Sequence, residues 1–413
     1  MTERAKLTVR GGKYQTPGVY YEETVQRLAS SPERSGVPLF VGLFELGESQ
    51  PSVPDKGIYL QRWEQFDGAA FDSAVNAQET QRSFLSACVR GFFENGGQEC
   101  FVFPIFAKGN GVAAAQALIG AFDEDGVLEQ LEECDLVCVP DAMLLQESDG
   151  TLSTRLIVDV QSAALAYCKR MGERFAILDV PENDWQGDVR QVRQRAIEHW
   201  QALPSGNGAL YFPWIKTRDI TGPIPACGHV AGVFARSDAR VGVHKAPANE
   251  IVVGATTPAI NIDDAEQAPL SDAGVNCIRE IPGRGIRVWG ARTLRGQSQW
   301  ASINTVRLVL SVNRWAERNL RDFLFETNGP ELWDSVRRRF SSHCKELLEQ
   351  GALMGRDPSN AFFVKCDAEN NMQTQRDAGQ LVVDIGLAPV RPAEFVVVRI
   401  TRGLAGNEAN IFN

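Results

Sequence analysis

Residues 84–106 read FLSACVRGFFENGGQECFVFPIF. Phe84, Leu85, Cys88 and Phe92 recur at helical spacing and Gly96-Gly97 supplies a stop, so the pattern predicts a helix over 79–95. The run 100–106 that follows is apolar throughout, and a strand with no polar face is one covered on both sides. The same unit recurs downstream: helix 112–122, strand 135–139, helix 154–171, strand 175–180, helix 184–202 and strand 209–214. Upstream, 38–44 is strand-like, while Pro51, Pro54 and Gly57 forbid regular structure across 47–57. Apolar strands alternating with amphipathic helices imply an α/β domain over 38–220, a largely parallel sheet with helices on both faces.

The flanks read differently. Residues 1–37 are polar and rich in Gly, Pro and Ser, with short extended candidates at 6–9 and 19–22, which suits an arm rather than a domain. Pro223, Pro225, Pro247, Pro258, Pro269 and Pro282 break 221–296 into short pieces, so that segment is expected to be loop-rich. Two helices follow at 300–326 and 330–350, the second opening on Pro330 and burying Leu332, Trp333, Val336, Phe340, Cys344 and Leu347. Strands at 362–366, 380–387 and 394–400 make 221–402 an α+β region, and 403–413 a tail.

Composition narrows the function classes. The 413 residues are 44% hydrophobic and 23% charged, as in a folded protein. With 42 Lys and Arg against 52 Asp and Glu, the net charge of -10 argues against general nucleic-acid binding. The first residues hold no apolar stretch for a signal peptide and no later segment is apolar enough for a membrane span, so no membrane insertion is expected and the chain should stay where it is made. Nine cysteines without a CxxC pair read as reduced, packed thiols.

Chemistry is hard to place on this chain. It has no phosphate loop, and Gly283, Gly285 and Gly290 miss the dinucleotide spacing, so no cofactor is expected. His199, His229, His244 and His343 are dispersed without metal-ligand spacing, and no GxSxG elbow occurs, leaving neither metal nor catalytic residues to nominate. Asp263-Asp264 and Glu132-Glu133 suit a solvated face. On the 330–350 helix, Arg338 and Lys345 point away from the apolar stripe, either into solvent or as an electrostatic dock for another acidic protein.

The stretch GHVAGVFARSD from Gly228, followed by GVHKAPANE from Gly242, resembles the core motif of contractile tail sheath proteins. It supplies Gly228, His229, His244, Lys245, Pro247, Asn249 and Glu250. RGIRVWGARTL from Arg284, with Trp289 and Arg292, then FFVKCD from Phe362 and IGLAPVRPAEFVVVRI from Ile385 are similar to the family's C-terminal signature, in order. TPGVYYEE from Thr16, FFENGG from Phe92 and ILDVP from Ile177 also fit, so the resemblance spans nearly the whole chain and is most specific over 221–402. Cys227 stands where the family usually has serine, and the chain is short enough to suggest a compact sheath, as in R-type pyocins or extracellular contractile injection systems.

The resemblance implies a structural subunit rather than an enzyme. Its partners would be itself, in stacked hexameric rings, an inner tube protein, and baseplate and terminal cap proteins, within a phage tail or tail-like particle. Arms at both ends would add strands to neighbouring subunits. The expected linking strands are Val19, Tyr20, Tyr21 and Glu22, and Phe395, Val396, Val397, Val398, Arg399 and Ile400. The family's tube-facing C-terminal helix corresponds to the Arg338 and Lys345 face. A minor or baseplate-proximal sheath paralogue is the alternative, with an α/β enzyme behind it.

Overall fold

The strands of the central sheet are β1 (Pro38–Glu45), β2 (Ile58–Leu60), β3 (Cys100–Ala107), β4 (Leu136–Cys138), β5 (Phe175–Asp179), β6 (Gly208–Phe212), β9 (Glu250–Ile251), β11 (Val275–Ile281) and β12 (Gly285–Trp289). They lie in the order β2-β3-β1-β4-β5-β6-β11-β12-β9. The computed structural model describes residues 34–45, 57–68, 83–124, 126–131, 133–181, 188–296, 299–323, 326–390, 396–403 and 406–412. From β3 to β11 every pairing is parallel, and antiparallel pairs occur only at the two margins, β2 with β3 and β12 with β11 and β9.

Alternation along the strands sorts their side chains onto two cores. On β5, Phe175 and Ile177 enter one cluster and Ala176 and Leu178 the other. The second core is closed by α2 (Val112–Ala121), α3 (Thr154–Met171), α4 (Val189–Ala202) and α6 (Asp264–Ala273), while the first receives α1 (Leu85–Glu94), α5 (Cys227–Arg240), α7 (Ile303–Leu320) and α8 (Pro330–Glu349). Local signals fix the ends of α3: Ser153 Oγ accepts from the Leu156 amide at 3.2 Å, and Gly172 takes φ 69° beyond the last turn. Helix α8 opens on Pro330 and buries the six side chains that its stripe predicts.

A three-stranded sheet, β10-β7-β8, is built from β7 (Ile215–Thr217), β8 (Pro223–Ile224) and β10 (Ala255–Pro258). A four-stranded antiparallel sheet, β13-β14-β15-β16, holds β13 (Phe362–Lys365), β14 (Leu381–Leu387), β15 (Val396–Gly403) and β16 (Gly406–Phe412). Val383, Ile385, Val398 and Ile400 of this sheet join the same cluster as Phe175 and Phe234, so one core continues into the C-terminal region.

Two expectations need correction. The segment 221–296 is not loop-rich: it carries two helices and strands of the central and the three-stranded sheets, and α5 is buried nearly all round. The central sheet therefore continues across residue 220, with β11, β12 and β9 added beyond β6. Residues 406–412 of the tail form a strand rather than an appendage. Arg34–Asn413 forms one compact unit. Among the described residues no helix is long and apolar enough to cross a membrane.

Candidate assembly surfaces

The Gly228-His229 step sits at the start of α5, whose N-terminus is tied to the last residue of β5. Asp179 anchors it, its carboxylate accepting from the Ala226 amide at 2.8 Å and the Cys227 amide at 3.3 Å. Burial pushes the Asp179 carboxyl up to about 6 against the lowering effect of these donors. Helix α5 then crosses α1 at a distance that only glycine permits. A Cβ on Gly228 would lie 2.2 Å from the Cys88 carbonyl oxygen, and one on Gly232 would lie 2.4 Å from that of Phe92. Reciprocally, Gly91 of α1 leaves the notch filled by the His229 ring, where a Cβ would meet Nδ1 at 2.2 Å.

His229 is 1% exposed, and burial holds its imidazole down at about 4, so it is neutral at physiological pH. Its Nδ1 has no hydrogen-bond partner among the described residues. The ring lines a cavity of about 600 Å³ shared with Arg90, Glu94, Thr217, Asp219 and Gly254. Arg90 is committed there to Glu94 at 2.9 Å and Asp219 at 2.7 Å. Cys227, in the serine position, packs its sulfur 3.9 Å from that of Cys88, and all nine cysteines are free and buried.

The rest of the motif braces the β9 margin. Glu250 pairs with Lys245 and, at 2.5 Å, with Arg240. Pro247 is buried, His244 half-buried, and Asn249 stands at φ 58°, its amide donating to Val288 O at 2.7 Å and its carbonyl accepting from Arg287 at 2.6 Å. Trp289 is set opposite Cys277 in the β11–β12 ladder, and the Arg292 backbone exchanges hydrogen bonds with the buried Asn276 side chain at 2.7 and 2.8 Å. Arg284 is exposed in the β11–β12 turn. These residues do not converge on one point; they hold packing and turns. Among the described residues no three His, Cys, Asp or Glu side chains are placed to hold a metal ion.

A buried ion network, which no sequence signal announces, joins distant segments. Arg307 of α7 is 3% exposed and donates to Asp238 of α5 at 2.8 and 2.5 Å and to Asp135 at 3.1 Å. Asp135 also accepts from the amides of Val37, at 2.6 Å, and Gly36, at 3.1 Å, and lies 3.8 Å from Arg314. Burial alone would lower the Arg307 pKa, and the Asp238 and Asp135 carboxylates reverse that into a rise. The guanidinium is 4.9 Å from the Phe234 ring centroid.

The outward features are sheet edges and one helix face. Among the described residues, the unpaired edges of β13-β14-β15-β16 belong to β13 and β16. The expected linking strand is interior instead: Val396, Val397, Val398, Arg399 and Ile400 lie in β15, paired with β14 on one side and, from Val397 on, with β16 on the other. Val396, Val398 and Ile400 point into the core, and Arg399 holds Asp384 at 2.7 and 3.0 Å. Phe395 and the candidate strand Val19, Tyr20, Tyr21 and Glu22 lie outside the described residues. On β13, Phe363 is exposed with its ring over Gly386, near exposed Met354 and Val390 around the Leu353–Pro389 bridge. On α8, Arg338 and Lys345 are exposed. Arg338 reaches only Ser335, at 3.3 Å, whereas its neighbours Arg337 and Arg339 are paired with Asp334 and Asp322.

Comparison with known proteins places this geometry. The family models for the phage tail sheath protein central domain and the phage tail sheath C-terminal domain match residues 135–294 and 296–402. A putative prophage major tail sheath protein of Pseudomonas aeruginosa (strain UCBPP-PA14) is 28% identical over 303 residues, covering 68% of this chain and 71% of that protein. The sheath complex of an extracellular contractile injection system, PVC, in its contracted state superposes with a TM-score of 0.70 at 28% identity, over 93% of this chain and 96% of that one. A chain of the anti-feeding prophage baseplate in its contracted state gives 0.71 at 29% identity, over 93% and 97%.

Proposed function

From the premise that the chain belongs to the phage tail sheath family, as a structural subunit of contractile particles, we propose the contacts by which it polymerises. Copies of the chain form stacked hexameric rings around an inner tube, meet a baseplate at one end and a cap at the other, and contract to drive the tube through a target envelope. The observation that carries this reading is length-matched likeness: 93% of this chain superposes on 96% of a contracted PVC sheath subunit.

Three surfaces are assigned within that frame. The open edges of β13 and β16 receive strands from neighbouring copies, since main-chain pairing gives affinity without demanding a particular sequence. Residues 19–22 are one donor, and the strands at 395–412 form the other side of the junction. The exposed Arg338 and Lys345 of α8 face the inner tube, where repetition around every ring multiplies contacts that are individually weak. Functionally, the arm 1–37 and the terminal strand within 403–413 are assigned to linkage between copies, and the continuous body 38–402 to the ring itself.

Electron microscopy of the purified chain, alone and with its genomically adjacent tube protein, tests the assignment. Hollow ringed cylinders are expected, and monodisperse monomers in both samples refute it. The likeness to a baseplate chain favours one second reading, a baseplate-proximal paralogue. Particle stoichiometry separates the two: a main sheath subunit is among the most abundant bands of the purified particle.

A further inference from the structure

We propose that β16 is a cis latch: a free subunit holds its own C-terminal strand on β15, and polymerisation requires that strand to leave and pair with β15 of a second copy. This rests on the sheath reading above and adds how that junction is regulated.

Donor and acceptor are both visible in one chain. The ladder between them runs unbroken from Val397↔Phe412 to Gly403↔Gly406. Strand β16 ends the order β13-β14-β15-β16, so among the described residues it is held along one edge only. Removing it leaves β15 paired with β14 from Leu381↔Arg402 to Leu387↔Val396, with Val396, Val398 and Ile400 still in the core. The acceptor edge therefore survives the departure of its occupant.

Exchange conserves the backbone pairs, because residues 406–412 of a second copy present the same backbone in the same register. What decides between cis and trans is local concentration. Only residues 404 and 405 separate the paired strands, and so short a tether gives an effective concentration of roughly millimolar or more. A dilute subunit therefore stays closed. A neighbour fixed in a ring offers its own strand at comparable concentration, and the advantage of cis pairing disappears. Opening the reversal between Gly403 and Gly406 turns 396–412 into one extended strand that begins in its own sheet and ends in the neighbour's. Glycine at both flanks adopts the tight and the extended backbone equally well. The closed form hides the acceptor until lattice contacts gather subunits, which keeps soluble chains from polymerising away from a growing end.

The test is a reversible lock. Thr401→Cys with Glu408→Cys, and separately Arg402→Cys with Asn407→Cys, join consecutive facing positions of the ladder. Facing pairs alternate between hydrogen-bonded and non-hydrogen-bonded, so one of the two has the closer spacing that a disulfide favours. The native cysteines are all buried and add little background. Oxidised before assembly, the locked chain is expected to form at least tenfold less sheath than the same protein under reductant. Oxidised after assembly, it is expected to give a ladder of linked subunits on a non-reducing gel. Equal assembly by locked and reduced protein overturns the latch, as do cross-links in the assembled sheath that are wholly intramolecular. Failure of both pairs to close in the free subunit, read by thiol titration, overturns it too. Reduced protein that never polymerises is a different failure, removing the sheath reading beneath the latch.

Discussion

Replacing Gly228 with alanine adds one methyl group where α5 meets α1. That carbon would lie 2.2 Å from the Cys88 carbonyl oxygen and 2.5 Å from the Cys88 carbonyl carbon and Cα. Because ordinary carbon–oxygen contacts begin near ~3.3 Å, the helices must part by roughly 1 Å. The obstacle is backbone, so no side chain can swing away. Overpacking of this kind costs about 1–3 kcal/mol, and a gap of ~1 Å forfeits up to half of the dispersion attraction along the crossing. Against this stands the better helix propensity of alanine, worth ~1 kcal/mol at most and less in a first turn. The expected net loss is about 2–3 kcal/mol. Gly120→Ala is the internal control, since Gly120 is exposed in α2 with nothing within 4 Å of an added Cβ, and alanine there should stabilise by up to ~1 kcal/mol. Urea unfolding followed by tryptophan fluorescence reads both variants in dilute subunit. An unchanged or raised midpoint for Gly228→Ala, with the gain at Gly120→Ala intact, refutes the close-crossing account of the family's glycine-histidine motif.

Arg307→Met leaves the Asp238 and Asp135 carboxylates buried without their guanidinium and should cost about 3–5 kcal/mol, measured by the same unfolding. Titration gives a signed test. Burial raises Asp141 and Asp179 to about 6 from 3.8, so the folded chain holds protons that the unfolded chain releases, and this pair adds stability as pH falls from about 6 to about 4. Burial lowers His199 and His229 to about 4 from 6.5, so their contribution is fully present above 6.5 and is lost as pH falls to 4. The opposing pairs should nearly cancel in the wild type. Asp179→Asn removes one carboxylate, and its stability relative to wild type should fall by ~2 kcal/mol between pH 7 and pH 4.5. Charge reversal at Arg338 and Lys345 should weaken co-assembly with the tube protein at moderate salt and leave the subunit fold unchanged, whereas unaltered co-sedimentation removes that face as the tube contact. Deleting residues 1–25 should give a folded subunit that forms no sheath, and normal tubes from that truncation would refute strand donation by the arm.

Sequence patterns captured what is local. The span of α3 was readable to the residue because Ser153 and Gly172 mark its ends, and the buried stripe of α8 follows from spacing alone. Helix α5 was not read from spacing: eleven of its fourteen residues are buried, polar His229, Ser237 and Asp238 among them, so burial does not follow polarity along it. Strands β7 to β12 are mostly two to five residues long among prolines, too short for period two to register. Strand β16 carries Asn407, Glu408 and Asn410, residues poor in strand propensity, and is held by pairing with β15. The motif residues could be quoted from the family resemblance, but the work of Gly228 becomes apparent only when α1 is set against it. Asp135, Asp238 and Arg307 are spread over 172 residues of sequence and carry no local pattern at all.

That ion network bears on how a sheath of this chain can shorten. Asp135 and Asp238 lie in the segment matched by the central-domain family model, Arg307 and Arg314 in the C-terminal one, and the hydrophobic core is continuous between them. Pulling the two regions apart would strand buried charges at about 3–5 kcal/mol per broken pair and expose apolar surface besides. Motion between copies faces no such penalty, because what one subunit offers another is sheet edge and solvated charge. Main-chain pairs at an edge survive reorientation of the bodies they connect, provided the strand that bridges them is not itself part of either core. Strand β16, held on one side only, meets that condition, and β15, with Val396, Val398 and Ile400 fixed inside, does not. On the proposed strand exchange, contraction would rearrange rigid bodies about their terminal strands, and a bend within each subunit would have to break this buried network.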